Sequence, residues 1–208
     1  MSVIVAVKEK GNIYFGCDSQ LTKGGSRRSL HNKNNYKIWK VEDIDNCIMG
    51  SVGNVRDANI VRLVDDLVTD YNVYKGHIGY RFVVKSVVPD IINALVEARY
   101  LKLDGNYLDA MESSFLFAYQ DQLFEINRDG TVLEIDDYVA IGSGSCEAIG
   151  SLISTEGENP KERIIKAIKA SAASDIYVDY PIILSDTETT EFDVITEQNE
   201  KDFLKKNK

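Results

Sequence analysis

The chain has 208 residues, 44% of them hydrophobic and 27% charged, which is the length and balance of one globular domain with a substantial core. Its formal charge of -9 argues against nucleic-acid binding, which needs a basic face, and no apolar run approaches the roughly 18 residues of a membrane span. The short N-terminal apolar run lacks a basic leader and a cleavage site, so the chain reads as cytosolic. The widely spaced Cys17, Cys47 and Cys146 and the two histidines, His31 and His77, form no disulfide framework, zinc-ligand spacing or histidine triad. The cysteines read as small buried thiols, and no metal or cofactor is implied.

In chain order, Ser2–Lys8 reads as a strand, Lys10-Gly11-Asn12 as a turn and Ile13–Asp18 as the return strand. Leu21–Asn35 reads as a polar, glycine-containing loop. Tyr36–Val41 and Asn46–Val52 make a second hairpin through Glu42–Asp45. At Gly53 the apolar period changes, and Ile60, Val61, Val64, Leu67 and Val68 predict a helix over Asn54–Tyr74. A second helix is predicted from about Phe82 to Leu103, with Pro89 near its start. Strands follow at Ser114–Tyr119, Leu123–Asn127, Thr131–Ile135 and Tyr138–Ile141. Helices are predicted at Cys146–Thr155 and Lys161–Ser174, the latter opened by Asn159-Pro160. Pro181–Ser185 and Glu191–Ile195 close the chain as a hairpin, and the charged tail at about 198–208 is expected to fray. Strands and helices in separate blocks indicate an α+β fold of antiparallel sheets packed face to face, with helices outside.

Chemistry is suggested at the N-terminus. A small residue after Met1 allows the methionine to be trimmed, which would leave Ser2 carrying a hydroxyl on Cβ next to a free α-amine on Cα. That amine, with an ordinary pKa of about 7.7–8.0, can serve as general base for its own hydroxyl. Asp18 lies at the same end of the neighbouring strand, and Lys37 opens a later one. A lysine ammonium near the amine would favour the amine's neutral form, and Asp18 would hold the lysine charged and oriented. Gly53 stands where a strand meets a helix, so its N–H can receive an oxyanion. Taken singly, Asp18 ends a strand, Lys37 is a solvated strand residue and Gly53 serves a turn; the combination carries the reading.

These residues resemble the proteasome β-type subunits, including the HslV-like branch, within the N-terminal nucleophile hydrolases. The blocks that carry the resemblance are Ser2–Val7 with Gly16–Gln20, Lys37-Ile38-Trp39, Ser51–Ala58, Ile141–Ser145 and Ala172–Asp175. The resemblance implies a four-layer α-β-β-α sandwich and a peptidase whose catalytic group is Ser2, Asp18, Lys37, Gly53, Ser143 and Asp175. Gln20, Ser51 and Val55 would line the first specificity pocket. It also implies peptide or unfolded-protein substrates, a homo-oligomeric ring and a separate ATPase unfoldase. The family usually has threonine where Ser2 stands. It typically places a serine and glycines after the supporting aspartate, where this chain has Val178, Asp179 and Tyr180. Lys33 is the alternative to Lys37, because the preceding loop is longer than usual. An inactive subunit of the same fold and a small-amide hydrolase are the other readings. The Asn54–Tyr74 stretch, with the stripe Val83-Val84 and Val87-Val88, has more apolar positions than one solvent-facing helix needs, which suggests subunit contacts.

Overall fold

The computed structural model describes residues 2–42, 44–64, 67, 79–98, 103–104, 107–108, 110–189 and 191–206. Strands β1 (Val3–Glu9) and β2 (Asn12–Cys17) form the first hairpin. β3 (Gln20–Lys23) and β4 (Ser26–Ser29) form a second, and a 3-10 turn at Lys33–Asn35 leads into β5 (Ile38–Lys40) and β6 (Cys47–Val52). Helix α1 (Val55–Arg62) follows. A helical run passes from α2 (Tyr80–Phe82) through a π-helical stretch, Val83–Val87, into α3 (Val88–Glu97). The short pair β7 (Leu103–Asp104) and β8 (Tyr107–Leu108) precedes β9 (Ser114–Tyr119), β10 (Gln122–Ile126), β11 (Val132–Ile135) and β12 (Tyr138–Gly142). The chain ends with α4 (Ser145–Ser154), α5 (Pro160–Ala172), β13 (Ile182–Asp186), β14 (Asp193–Ile195) and α6 (Glu200–Lys206).

Two five-stranded antiparallel sheets organise these elements, in the orders β12-β1-β2-β13-β14 and β11-β10-β9-β6-β5. β1 explains why its apolar run is continuous. Val3, Val5 and Val7 pack with Ile164, Ile165 and Ile168 of α5 and with Leu152 of α4. Ile4 and Ala6, on the opposite face of the pleat, share a cluster with Ile38, Ile48, Leu116 and Ala118 of the other sheet. β9 divides in the same way: Leu116 and Ala118 join that shared cluster, whereas Phe115, Phe117 and Tyr119 pack with Val61 of α1 and Ile91 and Leu95 of α3. A strand buried on both faces has no reason to alternate polar with apolar.

Several expectations are corrected. The Leu21–Asn35 loop is largely the hairpin β3–β4, whose residues at Ser26–Ser29 are all exposed; its one buried residue, Gln20, is polar, so it left no apolar alternation to read. The helix from Asn54 ends at Arg62, and the remainder of that prediction falls mostly outside the described residues; the helix predicted to reach Leu103 ends at Glu97, and Leu103 instead begins β7, with 99–102 outside the described residues. Pro89 lacks the N–H that an unbroken α-helix would donate to residue 85, and the wider π register immediately precedes it. Cys146 is exposed, whereas Cys17 and Cys47 are buried. Val83, Val87 and Val88 are buried against the chain's own core, so only Val84 of that stripe remains exposed.

The described part of the tail forms helix α6. Phe203 and Leu204 of α6 pack against the α4–α5 cluster. Glu200 accepts a hydrogen bond from the Tyr180 hydroxyl at 2.5 Å and pairs with Lys169 at 2.6 Å. Burial alone would raise the Glu200 carboxyl's pKa; the Lys169 ammonium and the Tyr180 hydroxyl more than offset it, so it lies below the ordinary glutamate value. A carboxylate with a depressed native pKa stabilises above its unfolded value, about 4.3, and loses that contribution as pH falls through the native pKa. Glu200→Gln should therefore cost about 1 kcal/mol at pH 7. Thermal denaturation at pH 7 and at acid pH should show the gap from the parent closing in acid.

Candidate active site

The sheet order brings the start of β1 to a charged pair. Asp18 follows β2 and is wholly buried. Its Oδ1 accepts the Val3 N–H at 3.0 Å and its Oδ2 accepts the Gln20 N–H at 2.9 Å. The Lys37 ammonium, in the residue before β5, lies 2.7 Å from both carboxylate oxygens and donates to the Gln20 carbonyl at 2.8 Å. Burial pushes the Asp18 carboxyl up; the Lys37 charge, its hydrogen bonds and the two main-chain N–H groups pull it back. Asp18 thus ties the Lys37 ammonium to the Val3 main chain, the residue after Ser2. Lys33, the alternative, is exposed in the 3-10 turn.

On the other side of Ser2, its N–H donates to Ser143 Oγ at 3.1 Å, and the Ser143 hydroxyl contacts the Ser2 carbonyl at 3.4 Å. Ser143 follows β12, which pairs with β1 and sets Gly142 opposite Val3. Gly142 has φ +107°, and a Cβ there would lie 2.1 Å from the Ser2 carbonyl oxygen, so only glycine fits this approach. Asp175, beyond α5, donates its N–H to the Ser171 carbonyl at 2.8 Å and accepts the Tyr177 N–H on Oδ1 at 2.9 Å. Its bonds knit its own turn.

Gly53 ends the turn between β6 and Asn54, whose side chain caps α1 by accepting the Arg56 N–H at 2.9 Å. Its φ is +129°, and a Cβ would lie 2.4 Å from the Glu112 carbonyl oxygen. The turn is also held by Ser113, a buried residue whose hydroxyl accepts the Asn54 N–H at 2.9 Å. Asp57, buried in the first turn of α1, lies beside Ser113 and Glu112, and burial raises its carboxyl's pKa.

Ser2, Lys37, Gly53, Gln20, Ser51 and Val55 all line one cleft of about 760 Å³. Gln20 donates its amide to Thr22 Oγ1 at 2.9 Å and to the Ile176 carbonyl at 2.8 Å. Ser51, on β6, donates its N–H to the Lys37 carbonyl at 2.9 Å. Ser143 and Asp175 stand outside the cleft lining. Burial pushes the Cys17 thiol up to about 12, so it is no competing nucleophile. Among the described residues no group of three metal-ligating side chains exists, and no helix is long and apolar enough to cross a membrane.

Two residues of this region were not singled out from the sequence. Ser113 gave no signal, lying between predicted elements. Ser171 did give one. It shares the buried α5 face with Ile164, Ala167 and Ile168, and a serine there needs a partner. Its hydroxyl donates to the Gly144 carbonyl at 2.6 Å, steadying the turn that carries Ser143. The Val178-Asp179-Tyr180 segment has structural work. Val178 is in the α4–α5 cluster, Asp179 pairs with Arg27 of the β3–β4 hairpin, and Tyr180 anchors α6.

The family model described as proteasome subunit matches residues 2–177. The chain is 30% identical over 194 residues to the ATP-dependent protease subunit HslV of Lactobacillus leichmannii, covering 90% of this chain and 99% of that one. Its fold is similar to eukaryotic HslV from Trypanosoma brucei, with a TM-score of 0.65, 19% identity and coverage of 88% and 98% of the two chains. It is likewise similar to Thiobacillus denitrificans BPH in complex with epoxomicin, with a TM-score of 0.64, 19% identity and coverage of 88% and 97%. The chain belongs to the proteasome subunit family.

Proposed function

We propose that the chain is a peptidase subunit whose nucleophile is Ser2, freed by removal of Met1. The observation that carries this reading is the buried Lys37–Asp18 pair fixed beside the start of β1. The Ser2 hydroxyl attacks the scissile carbonyl and passes its proton to the α-amine, which delivers it to the departing peptide amine. Lys37 lowers the amine's pKa, Asp18 holds Lys37, and the Gly53 N–H receives the oxyanion. Water then cleaves the Ser2 ester, and the amine again relays the proton. Ser143 supports the Ser2 amine from the opposite side, and Asp175 supports the turn near it. Gln20, Ser51 and Val55 line the pocket for the substrate side chain.

Residues 1–208 form one domain, a four-layer α-β-β-α sandwich; the reading is supported by the cluster that the two sheets share and by the two clusters on their outer faces. The subunits close into a homo-oligomeric ring, acting on peptides or unfolded protein delivered by a separate ATPase. The name of the HslV relative, an ATP-dependent protease subunit, supports the partner. Light scattering and peptide hydrolysis on the same untagged sample test this. A closed ring with peptidase activity is expected; a ring without activity means an inactive subunit, and a monomer that hydrolyses only small amides means an amidohydrolase.

A further inference from the structure

The cleft beside Ser2 has a charge opposite to that of the chain. One wall is α1, which presents Val55, Ala58, Asn59 and Arg62, the i, i+3, i+4, i+7 face of a helix. At 1.5 Å per residue this face carries the cleft roughly 10 Å from Val55 to Arg62. Lys23, Arg56 and Arg128 also line it, with Glu112 the one acidic lining residue among those described. Lys37 adds no net charge, because Asp18 neutralises it.

Arg62 is the informative member. Its guanidinium donates to the carbonyls of Asn34 and Tyr36 and lies over the Trp39 ring, 4.9 Å from the centroid. Carbonyls and an indole fix a guanidinium in place but do not neutralise it. Neither Arg62, Arg128 nor Lys23 has a carboxylate within ion-pair distance among the described residues. Burial also lowers the pKa of Arg62, the mark of a cation partly withdrawn from water, though arginine remains charged at neutral pH. A desolvated cation held still and lacking an anion gains most from a ligand that brings one. On a chain of net charge -9, only a local positive field draws an acidic peptide in.

We propose that the cleft selects peptides with an acidic side chain immediately before the scissile bond, whose carboxylate is received at the Arg62 end. The inference rests on the peptidase reading above and names its substrate class. An uncharged aliphatic side chain leaves Arg62 without an anion, and a basic one is repelled.

The test uses the intact, assembled protein and three fluorogenic peptides that differ only in that residue: Glu, Leu or Lys. The Glu peptide should have a kcat/KM roughly tenfold or more above the other two at low salt, the scale of one well-placed specificity contact. The advantage should shrink as added salt shortens the screening length. Arg62→Gln should bring the Glu-to-Leu ratio toward one, but the parent protein's preference decides the matter even if that variant folds poorly. Cleavage of the Leu or Lys peptide as fast as the Glu peptide would overturn the specificity and leave the peptidase reading standing. Assembled protein with a free Ser2 that cleaves none of the three would overturn both.

Discussion

Ser2→Ala is expected to abolish peptide hydrolysis while leaving the fold and assembly unchanged. Its hydroxyl is the atom that the proposed mechanism makes covalent, so the loss should be roughly 10³-fold or more, the scale seen when a nucleophile is deleted. Stability should scarcely respond. The β1 hydrogen bonds run from Val3 onward, the Asp18 carboxylate binds the Val3 main chain, and Ser143 meets the Ser2 main chain. Alanine keeps all of these main-chain contacts, and losing one hydroxyl should cost about 1 kcal/mol. Hydrolysis rate, denaturation midpoint and light scattering on the same preparation separate the two effects. Unchanged hydrolysis would remove Ser2 from the chemistry.

Lys37→Ala should damage both activity and stability, and Lys33→Ala neither. Removing Lys37 leaves the Asp18 carboxylate buried without its cation, which typically costs about 3–5 kcal/mol. With Lys37 gone, burial drives the Asp18 pKa further above its unfolded value. A carboxyl raised in the native state stabilises at low pH and loses that contribution as pH rises through its native pKa. The Lys37→Ala penalty should therefore be larger at pH 8 than at pH 5. The rate should fall by orders of magnitude, and the acid limb of the residual rate–pH profile should move upward, because the α-amine loses the charge that keeps it neutral. Lys33 is exposed and outside the site, so its replacement should stay within about 0.5 kcal/mol of the parent. A crippled Lys33→Ala variant would reverse the two lysines' roles.

The sequence disclosed the parts of the fold that are buried and periodic. The run Val3–Val7 marked a strand, and Asn159-Pro160 marked the start of α5. Lys37 stood out from Lys33 because it opens an apolar strand, and the structure joins it to Asp18. Features built from exposed or locally polar residues were harder to read. The β3–β4 hairpin buries too little apolar surface to leave a pattern, so its anchor, Arg27 to Asp179, appears only in three dimensions. α6 has Phe203 and Leu204 on an otherwise charged segment, and charge alone suggested fraying. Its docking depends on Tyr180 and Lys169, far away in sequence. Ser113 supports the Gly53 turn from the residue before the distant strand β9, a tertiary relation that no local spacing encodes. The stripe at Val83–Val88 was read as surplus because a sequence does not say which core will claim an apolar face.

The most direct test of the central claim is intact and peptide-level mass spectrometry of the untagged protein, before and after exposure to a peptide epoxyketone. That reagent offers two electrophilic carbons, a ketone and an epoxide, and suits a residue with a hydroxyl and an amine on adjacent atoms of one chain terminus. The expected result is a chain lacking Met1, one adduct per chain, its location at Ser2, and loss of peptide hydrolysis in step with labelling. A chain that retains Met1, takes up no reagent and still hydrolyses peptides would contradict it.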